Sequence, residues 1–418
     1  MNNERKNYVI WLKNILDDGV ALSDIKAAVP VNERAFFNML VMTALRQLAF
    51  IKTDVLPRFV RKRIPQKQNI LNFVLYLGCT ELLFLETPDY ACINSYVEVA
   101  KKLCDKFGAN FVNAVLRNVV RNKQQLLTDR KTMFFSKEFV KILKQDYTPA
   151  EIADMEKFAQ IEAPLDLTLK AGVETENFAE AIRLPSGTLR LPAHTAVTEV
   201  YGYNDGLWWV QDAASALAVK ALADIRGKKV LDLCAAPGGK TAQLLDAGAI
   251  VTAVDVSAKR LERLKENIKR LHLEKSLNVI CADALDLNVD EKFDVILVDA
   301  PCSATGTFRR HPEIMNNKTI QDVKTQATLQ QKILNHCVVW LKDNGMLVYA
   351  TCSLAKLEGE KQIKNFLQTH TDFDVCPIQI PGTEKMITKE GFLRVLPQNF
   401  GECSGADGFF VAALQRKI

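Results

Sequence analysis

Two cysteines stand where buried strands are predicted to end, and their surroundings favour chemistry over packing. Cys302 lies in the string DAPCS after the apolar run 295–298, and Cys352 lies in ATCS after the run 346–349. The glycine-rich string CAAPGGK at 234–240 follows a third apolar run. A cysteine becomes a strong nucleophile where its environment favours the thiolate. Two thiols and a glycine loop therefore predict covalent chemistry on a substrate bound beside a cofactor.

Alternating strands and helices from residue 228 onward would position these residues. Short apolar runs predict strands at 230–233, 250–255, 277–281, 293–299 and 346–350, and helices at 241–246, 258–271 and 323–341. Strands that are apolar throughout and alternate with helices indicate a parallel, doubly wound sheet. Such sheets bind ligands beyond the carboxyl ends of their strands, where all the marked residues fall.

Helical spacing of apolar residues extends through residues 1–125, without the alternation typical of strands. The longest and most apolar helix is predicted at 70–84, at the centre of a bundle. Two further helices are predicted at 94–107 and 110–120, separated by Gly108. The sequence therefore predicts an all-α helical bundle for this part of the chain.

Charge divides the chain into a basic and a mildly acidic part. Residues 1–145 hold 23 Lys and Arg against 13 Asp and Glu, whereas the remainder holds 31 against 36. This asymmetry is typical of a module that contacts a polyanion, although a lysine-rich solvated surface would look the same. An apolar fraction of 48% and a charged fraction of 25% indicate globular domains. The ten cysteines include no CxxC pair, which argues against a zinc site and favours free thiols in a reducing compartment.

The strings CAAPGGKT, DAPCSATG, YATCS and GADGFFV resemble those of the RNA 5-methylcytosine methyltransferases, specifically the bacterial ribosomal RNA small subunit methyltransferase B subfamily. The resemblance implies a Rossmann-like α/β methyltransferase domain over 206–418, with S-adenosyl-L-methionine as cofactor. Two carboxylates at strand ends would bind the ribose and the adenine edge. The residues that it assigns to cofactor binding are Cys234, Ala235, Ala236, Pro237, Gly238, Gly239, Lys240, Asp255, Asp283 and Asp299.

On geometry alone, either cysteine could attack the substrate. DNA cytosine methylases use the cysteine of a Pro-Cys pair, which here is Cys302, whereas the RNA family uses the later cysteine, Cys352. The resemblance therefore implies that Cys352 is the nucleophile and that Cys302 assists product release. Asp299 would hold the base at its N3 atom. The string RRHP resembles a substrate-side loop of the family and implies RNA contacts from Arg309, Arg310 and His311.

The strings YLGCTELLFLETPDYACINSYVEVAKK and GANFVNAVLRNVVR resemble the RNA-binding domain of the antitermination factor NusB. The resemblance implies a NusB-like helical domain at 1–125, followed by a linker and a small α/β subdomain at 126–205. Contacts with RNA phosphates would come from the basic run that contains Arg61, Lys62 and Arg63, which could equally be a solvated loop.

Together these features predict an enzyme that methylates C5 of a cytosine in 16S ribosomal RNA through a covalent cysteine adduct. Methylation of another RNA such as tRNA, and a non-catalytic RNA-binding role in ribosome assembly, are the alternatives. No apolar run has the length of a membrane span, and the N-terminal residues lack the apolar core of a signal peptide. We therefore expect a cytoplasmic monomer that uses neither a metal nor a membrane.

Overall fold

A computed structural model describes residues 2–178, 180–193 and 195–417. The chain forms two compact units, one made of residues 1–141 with 311–318 and the other of 142–310 with 319–418. The first unit extends beyond the predicted boundary at residue 125. Asp54 explains part of this extension, because its carboxylate accepts hydrogen bonds from the backbone N–H groups of Lys131 and Thr132. Most of the predicted subdomain at 126–205 belongs to the second unit.

Helices account for the first unit, as the sequence predicts. The long apolar helix lies where it was expected and is buried along most of its length. Residues 34–59 form one continuous helical run with two π-helical turns, Asn38–Met42 and Ile51–Val55. The helices of the chain up to residue 143 are α1 Asn2–Leu16, α2 Leu22–Ala28, α3 Arg34–Phe37, α4 Thr43–Phe50, α5 Leu56–Phe59, α6 Ile70–Phe84, α7 Asp89–Leu103, α8 Lys106–Arg121, α9 Lys123–Thr128 and α10 Lys137–Leu143.

Gly108 lies inside α8, so the prediction that it separates two helices is wrong. The break comes earlier, between α7 and the N-cap residue Asp105. The Asp105 carboxylate accepts a hydrogen bond from the Gly108 N–H at 2.7 Å, which caps the helix. A Cβ at position 108 would lie 3.2 Å from Leu71 Cδ1. The glycine therefore permits close packing of helices.

One helical run, Val31–Phe59, is long and apolar enough to cross a membrane by length and composition. That signal is weak, since 56% of its most apolar 18-residue window is buried inside the protein. Leu40, Val41, Leu45 and Leu48 contribute to the core of the helical unit. The apolar character of the run is therefore accounted for by packing.

The second unit combines helices with two sheets. The helices after residue 148 are α11 Pro149–Lys157, α12 Ala213–Lys220, α13 Gly239–Asp246, α14 Ala258–Arg270, α15 Ile314–Asn317, α16 Ile320–Cys337 and α17 Glu360–Thr369, of which α15 belongs to the first unit. The strands are β1 Leu165–Leu169, β2 Ile182–Arg183, β3 Leu189–Leu191, β4 Trp208–Val210, β5 Lys229–Leu233, β6 Ile250–Asp255, β7 Leu277–Cys281, β8 Phe293–Asp299, β9 Leu341–Thr351, β10 Phe373–Cys376, β11 Leu393–Val395 and β12 Phe409–Arg416.

Strand direction differs between the two ends of the large sheet. Its order is β10-β12-β9-β8-β5-β6-β7, and the strands β5 to β9 are parallel, as predicted. The C-terminal strand β12 runs antiparallel to β9, β10 and β11, so the sheet is mixed. The sequence does not reveal this reversal, because a strand buried on both faces has the same apolar pattern in either direction. The small sheet, β2-β3-β1-β4, is antiparallel.

Both faces of the large sheet are covered by helices. Val295 and Leu297 of β8 pack in a core with residues of α12, α13 and α14. Ile296 and Val298 point the other way, into a core shared with α16 and α17. Successive side chains of a strand alternate between the faces of the sheet, so β8 needs apolar residues at all four positions from 295 to 298. This packing fixes the strand and leaves its carboxyl end, Asp299, at the edge of the sheet.

We predict that Glu81→Gln destabilises the helical unit. The buried guanidinium of Arg5 lies 2.5 Å from Glu81 Oε1, and Tyr96 donates a hydrogen bond to Glu81 Oε2 at 2.8 Å. Removal of one partner leaves a buried charge uncompensated, which costs about 3–5 kcal/mol. The free energy of unfolding from denaturant titration measures this loss. The control is Glu98→Gln, since the exposed pair of Glu98 with Lys101 is worth about 1 kcal/mol or less.

Candidate active site

The parallel register of β8 and β9 brings the two cysteines together. Asp299 pairs with Ala350 at the carboxyl ends of these strands, and each loop continues from there to its cysteine. The Cys302 and Cys352 Sγ atoms lie 3.2 Å apart. Both side chains are half-buried, so the sulfur pair remains within reach of a ligand at the edge of the sheet.

The surroundings of Cys302 favour the neutral form of its thiol. The hydrogen bond with Cys352 raises the pKa of the Cys302 thiol well above its usual range, and burial and the proximity of Cys352 and Glu358 raise it further. Cys302 is therefore a neutral thiol near pH 7, and either sulfur of the pair can be the donor in the contact between them. Burial also raises the pKa of Cys234 to about 12, which keeps this third thiol protonated and unreactive.

Asp299 is held by Lys240, the second residue of α13 and the last residue of the glycine-rich string. The Lys240 ammonium lies 2.7 Å from Asp299 Oδ2, donates a hydrogen bond to Ser215 at 2.8 Å and stands 5.1 Å above the Phe409 ring. Lys240 is 8% exposed in its side chain and Asp299 is 33% exposed. The carboxylate therefore faces solvent with a buried ammonium behind it. Lys240 was predicted to contact the cofactor, and in this structure its ammonium forms an ion pair with Asp299.

The glycine loop needs an unusual backbone to turn from β5 into α13. Cys234 and Gly238 have φ values of +61° and +101°, and the Ala236–Pro237 peptide bond is cis. A Cβ at Gly238 would also lie 2.8 Å from Leu264 Cγ, so both the backbone and the space require glycine. The carboxylate of Asp255 accepts a hydrogen bond from the Ala236 N–H at 3.1 Å, which fastens the loop to β6.

A cleft at the carboxyl ends of β5, β6 and β7 gathers the predicted cofactor residues Cys234, Asp255 and Asp283. Its lining consists of Cys234, Val254, Asp255, Val256, Arg260, Ala282, Asp283, Ala284, Pro301, Leu329 and Ile333. Carboxylates can accept hydrogen bonds from sugar hydroxyls and from an amine, while the apolar side chains can cover an aromatic ring. The chemistry of the lining thus fits an adenosine-type group. Asp283 is exposed, and Asp255 is buried with backbone partners on both carboxylate oxygens.

Two residues of this cleft were missed by the sequence analysis. Val256 is 65% exposed directly after β6, although large apolar side chains are usually buried. Arg260 lies 3.4 Å from Asp255 and donates a hydrogen bond to the carbonyl oxygen of Ala236. Val256 could have been found from the sequence, because it is an apolar residue directly after a strand-end aspartate. A single sequence gives no signal that singles out Arg260, since helix α14 carries several other basic residues.

The arginines of the RRHP string lie inside the second unit. Arg309 is fully buried, and its guanidinium donates a hydrogen bond to the carbonyl oxygen of Ser404. Arg310 forms ion pairs with Asp212 at 2.8 Å and with Asp407 at 3.1 Å. The full burial of Arg309 is inconsistent with its predicted RNA contact, because moving a buried charge away from its partners is costly. The Arg310 side chain is 26% exposed while it pairs with these carboxylates, and its predicted RNA contact stays a prediction.

The other predicted RNA contacts belong to the helical unit. Arg61, Lys62 and Arg63 are exposed in the loop between α5 and α6. Lys62 and Arg63 also line a cleft with Lys52, in a region rich in polar side chains. His311 is 43% exposed, and its Nδ1 atom lies 3.3 Å from Glu313. Across the residues that the structure describes, no cluster of three or more His, Cys, Asp and Glu side chains could hold a metal ion.

A mixed sheet with a glycine loop and acidic strand ends at its carboxyl edge defines the S-adenosylmethionine-dependent methyltransferase class. Residues 219–415 match the family model described as 16S rRNA methyltransferase RsmB/F, and residues 4–121 match that of the NusB family. The chain belongs to the ribosomal RNA small subunit methyltransferase B family. The predicted family and cofactor are thereby confirmed, as are the N-terminal NusB-like helical domain and the C-terminal methyltransferase domain.

Relatives cover nearly the whole chain. The ribosomal RNA small subunit methyltransferase B of Serratia proteamaculans is 32% identical over 99% of this chain and 98% of its own length. The protein of the same name from Vibrio cholerae is 32% identical over 97% and 96%. A methyltransferase homologue of known structure from Pyrococcus horikoshii has a TM-score of 0.54 and 22% identity, and it covers 67% of this chain and 99% of its own. At that identity it supports the fold alone.

We predict that Asp283→Ala weakens the binding of S-adenosylmethionine. Loss of a hydrogen bond to a carboxylate costs about 1.5–3 kcal/mol, which corresponds to an increase in Kd of about tenfold or more. Isothermal titration calorimetry measures this change. Asp286→Ala is the matched control, because this exposed carboxylate follows the same strand but does not line the cleft. Equal Kd values for the two variants would exclude Asp283 from the cofactor site.

We predict that Gly306→Ala disturbs the sulfur pair. A Cβ at Gly306 would lie 2.1 Å from the carbonyl oxygen of Gly408 and 2.8 Å from that of Cys352. The backbone must shift to relieve these contacts, which costs about 1–3 kcal/mol. Lower thermal stability and reduced methyl transfer are expected. Gly401→Ala, where the nearest atom is 3.5 Å away, should change neither.

Proposed function

We propose that this protein methylates C5 of a cytosine in 16S ribosomal RNA through a covalent adduct on Cys352. The observation that carries the proposal is the sulfur pair of Cys302 and Cys352 beside the Asp299–Lys240 ion pair, at the edge of a cleft that fits an adenosine-type group. Relatives of nearly the same length are named for methylation of small-subunit ribosomal RNA. An RNA of this kind would place the reaction in the cytoplasm.

A nucleophilic cysteine solves a specific problem of this reaction. C5 of cytosine is a poor nucleophile until a thiolate adds to C6 and N3 takes a proton, which turns the ring into an enamine. S-adenosylmethionine, when bound, supplies the methyl group that C5 receives. Loss of the C5 proton then drives elimination of the cysteine thiolate, and the ring recovers its C5–C6 double bond.

The 3.2 Å contact between the two sulfurs supports linked roles for them in this reaction sequence. Cys352 is assigned as the nucleophile that adds to C6. Cys302 is held as a neutral thiol and can donate a hydrogen bond to the departing Cys352 thiolate. Such a hydrogen bond would stabilise the leaving thiolate, so Cys302 is assigned to product release.

Asp299 and Lys240 are assigned to act on the base as a pair. The Asp299 carboxyl would hydrogen-bond N3 of cytosine, and the Lys240 ammonium 2.7 Å away would hold that carboxyl in place. Protonation at N3 requires an acid close to the ring. The Lys240 ammonium, which is hydrogen-bonded to Asp299, can supply that proton through the carboxyl group. In this assignment Lys240 serves the substrate through Asp299.

RNA binding is assigned chiefly to the helical unit. Its loop with Arg61, Lys62 and Arg63 is exposed and basic, and basic side chains neutralise phosphates without reading sequence. His311 and Arg310, whose side chains are partly exposed, are the candidates from the RRHP string. A cytosine within a stem would have to be flipped out of its stack to reach the sulfur pair.

We predict opposite failures for the two cysteine variants. Cys352→Ala should neither methylate undermodified 16S rRNA nor form a covalent complex with it, because the nucleophile is gone. Cys302→Ala should accumulate a protein–RNA adduct, because elimination is impaired. Transfer of a labelled methyl group and a denaturing gel measure the two steps. Cys281→Ala is the control, since this exposed cysteine lies at the end of β7.

Each remaining outcome contradicts a defined part of the proposal. The reverse pattern would make Cys302 the nucleophile, and full activity in both variants would exclude a covalent mechanism. Methylation of tRNA in place of 16S rRNA by the wild-type protein would retain the chemistry and change the substrate. A wild-type protein that binds 16S rRNA but transfers no methyl group would indicate a non-catalytic role.

A further inference from the structure

Glu358 is a buried carboxylate that touches both cysteine-bearing loops. Its Oε2 atom accepts hydrogen bonds from the hydroxyl groups of Ser303 and Ser353, the latter at 2.5 Å. Its Oε1 atom accepts a hydrogen bond from the Ser303 N–H at 2.8 Å. These serines directly follow Cys302 and Cys352 in the chain. One side chain is thus bonded to the residues adjacent to both sulfurs.

Glu358 is itself fixed by two further elements. Gln330 of α16 donates a hydrogen bond to Glu358 Oε1 at 3.0 Å, and also one to the carbonyl oxygen of Pro301 at 2.9 Å. The Tyr349 hydroxyl of β9 donates a hydrogen bond to the Glu358 carbonyl oxygen at 2.8 Å. Glu358 has no solvent exposure. The carboxylate therefore has one defined position relative to the sheet.

A carboxylate suits this position because it only accepts hydrogen bonds. The donors to it are two hydroxyls, one backbone N–H and one amide, all of which are neutral. A buried charge is tolerated where several donors replace its water. Arg394 strengthens the second loop separately, since it donates a hydrogen bond to the Ser353 carbonyl oxygen at 2.5 Å and pairs with Glu360 at 2.6 Å.

We propose that Glu358 is a positioning residue for methyl transfer, and that it sets the relative placement of the Cys302 and Cys352 sulfurs through Ser303 and Ser353. This inference rests on the proposed function, because only a reaction that uses both sulfurs requires their placement to be fixed jointly. Glu358 touches neither a substrate nor a reacting atom. Its positioning effect passes through the two serines, which lie one in each loop and whose hydroxyl oxygens are 3.2 Å apart.

Substitution of each serine tests the hydrogen bond between Glu358 and one of the two cysteine loops. Ser353 holds the loop of the proposed nucleophile, so Ser353→Ala should slow formation of the covalent RNA adduct. Ser303 holds the loop of the residue assigned to product release, so Ser303→Ala should leave adduct formation intact and slow its breakdown. A purely structural role of Glu358 would lower both rates together. Ser276→Ala is the control, since this serine is exposed and lies before β7.

The main experiment compares Glu358→Ala, Glu358→Gln and the exposed control Glu266→Ala. Misplacement of a reacting group by about 1 Å costs about 100-fold in rate, so we expect kcat of Glu358→Ala to fall by about that factor. KM for S-adenosylmethionine should stay within about threefold of wild type, because the cofactor cleft is not altered. Glu358→Gln keeps the side-chain shape and can still accept a hydrogen bond from the Ser303 N–H. We therefore expect it to remain within about tenfold of wild type.

Thiol reactivity gives a second readout that needs neither RNA nor cofactor. Rates of alkylation by iodoacetamide are measured for each cysteine by peptide mass spectrometry in the full-length protein. Loosening of the two loops in Glu358→Ala should accelerate alkylation of Cys302 and Cys352 by about tenfold relative to the exposed Cys281. Glu266→Ala should leave all three rates unchanged.

The outcomes separate this inference from the function on which it rests. A folded Glu358→Ala protein with kcat within about threefold of wild type and unchanged alkylation rates would overturn it. Failure of the wild-type protein to methylate C5, together with faster alkylation in Glu358→Ala, would refute the proposed function while the positioning role stands. Should Glu358→Ala show no cooperative thermal transition, the serine variants decide, and wild-type rates in both would overturn the inference.

Discussion

The hydrogen-bonded register between β8 and β9 is the constraint on which the reactive end of this protein depends. Pairing of Asp299 with Ala350 sets the starting points of the two loops, and the Ala300 N–H donates a hydrogen bond to the Ala350 carbonyl oxygen at 2.9 Å. Since successive side chains point to opposite faces, a slip of one residue would exchange the faces of every side chain on a strand. The sulfur contact between Cys302 and Cys352 thus derives from apolar packing on both faces of the sheet.

Burial and charged partners give chemically similar side chains different reactivity at this edge of the sheet. Four cysteines lie near the carboxyl edge of the sheet, and burial keeps Cys234 protonated while the hydrogen bond with Cys352 keeps Cys302 protonated. Among the basic residues, Arg310 is occupied by carboxylates, whereas Lys240 holds Asp299 where solvent can reach it. Residue type alone does not separate these cases, because partners and depth determine what each group can do.

Sequence reasoning located what is local in the chain and missed what is made by the fold. Cys302 and Cys352 could be placed because each follows an apolar run, and strand ends meet at one edge of a parallel sheet. The prediction for Gly108 was wrong because the sequence alone does not distinguish a glycine that allows close helix packing from one that ends a helix. Burial of Arg309 depends on distant partners, as does the link from Glu358 to Ser303, 55 residues earlier. No spacing rule reveals such contacts.

The shared carboxylate has a consequence for how this active site can be altered or moved. Because Glu358 serves both loops, neither cysteine motif is a portable module, and grafting one string into another sheet would bring a sulfur without its anchor. A transferable unit would have to include β8, β9, their two loops, the turn that carries Glu358 and the part of α16 that carries Gln330. For the same reason, the effects of substitutions at Ser303 and Ser353 on activity should be non-additive, because both residues share Glu358 as a partner. An evolving lineage would therefore have to substitute the two serines together.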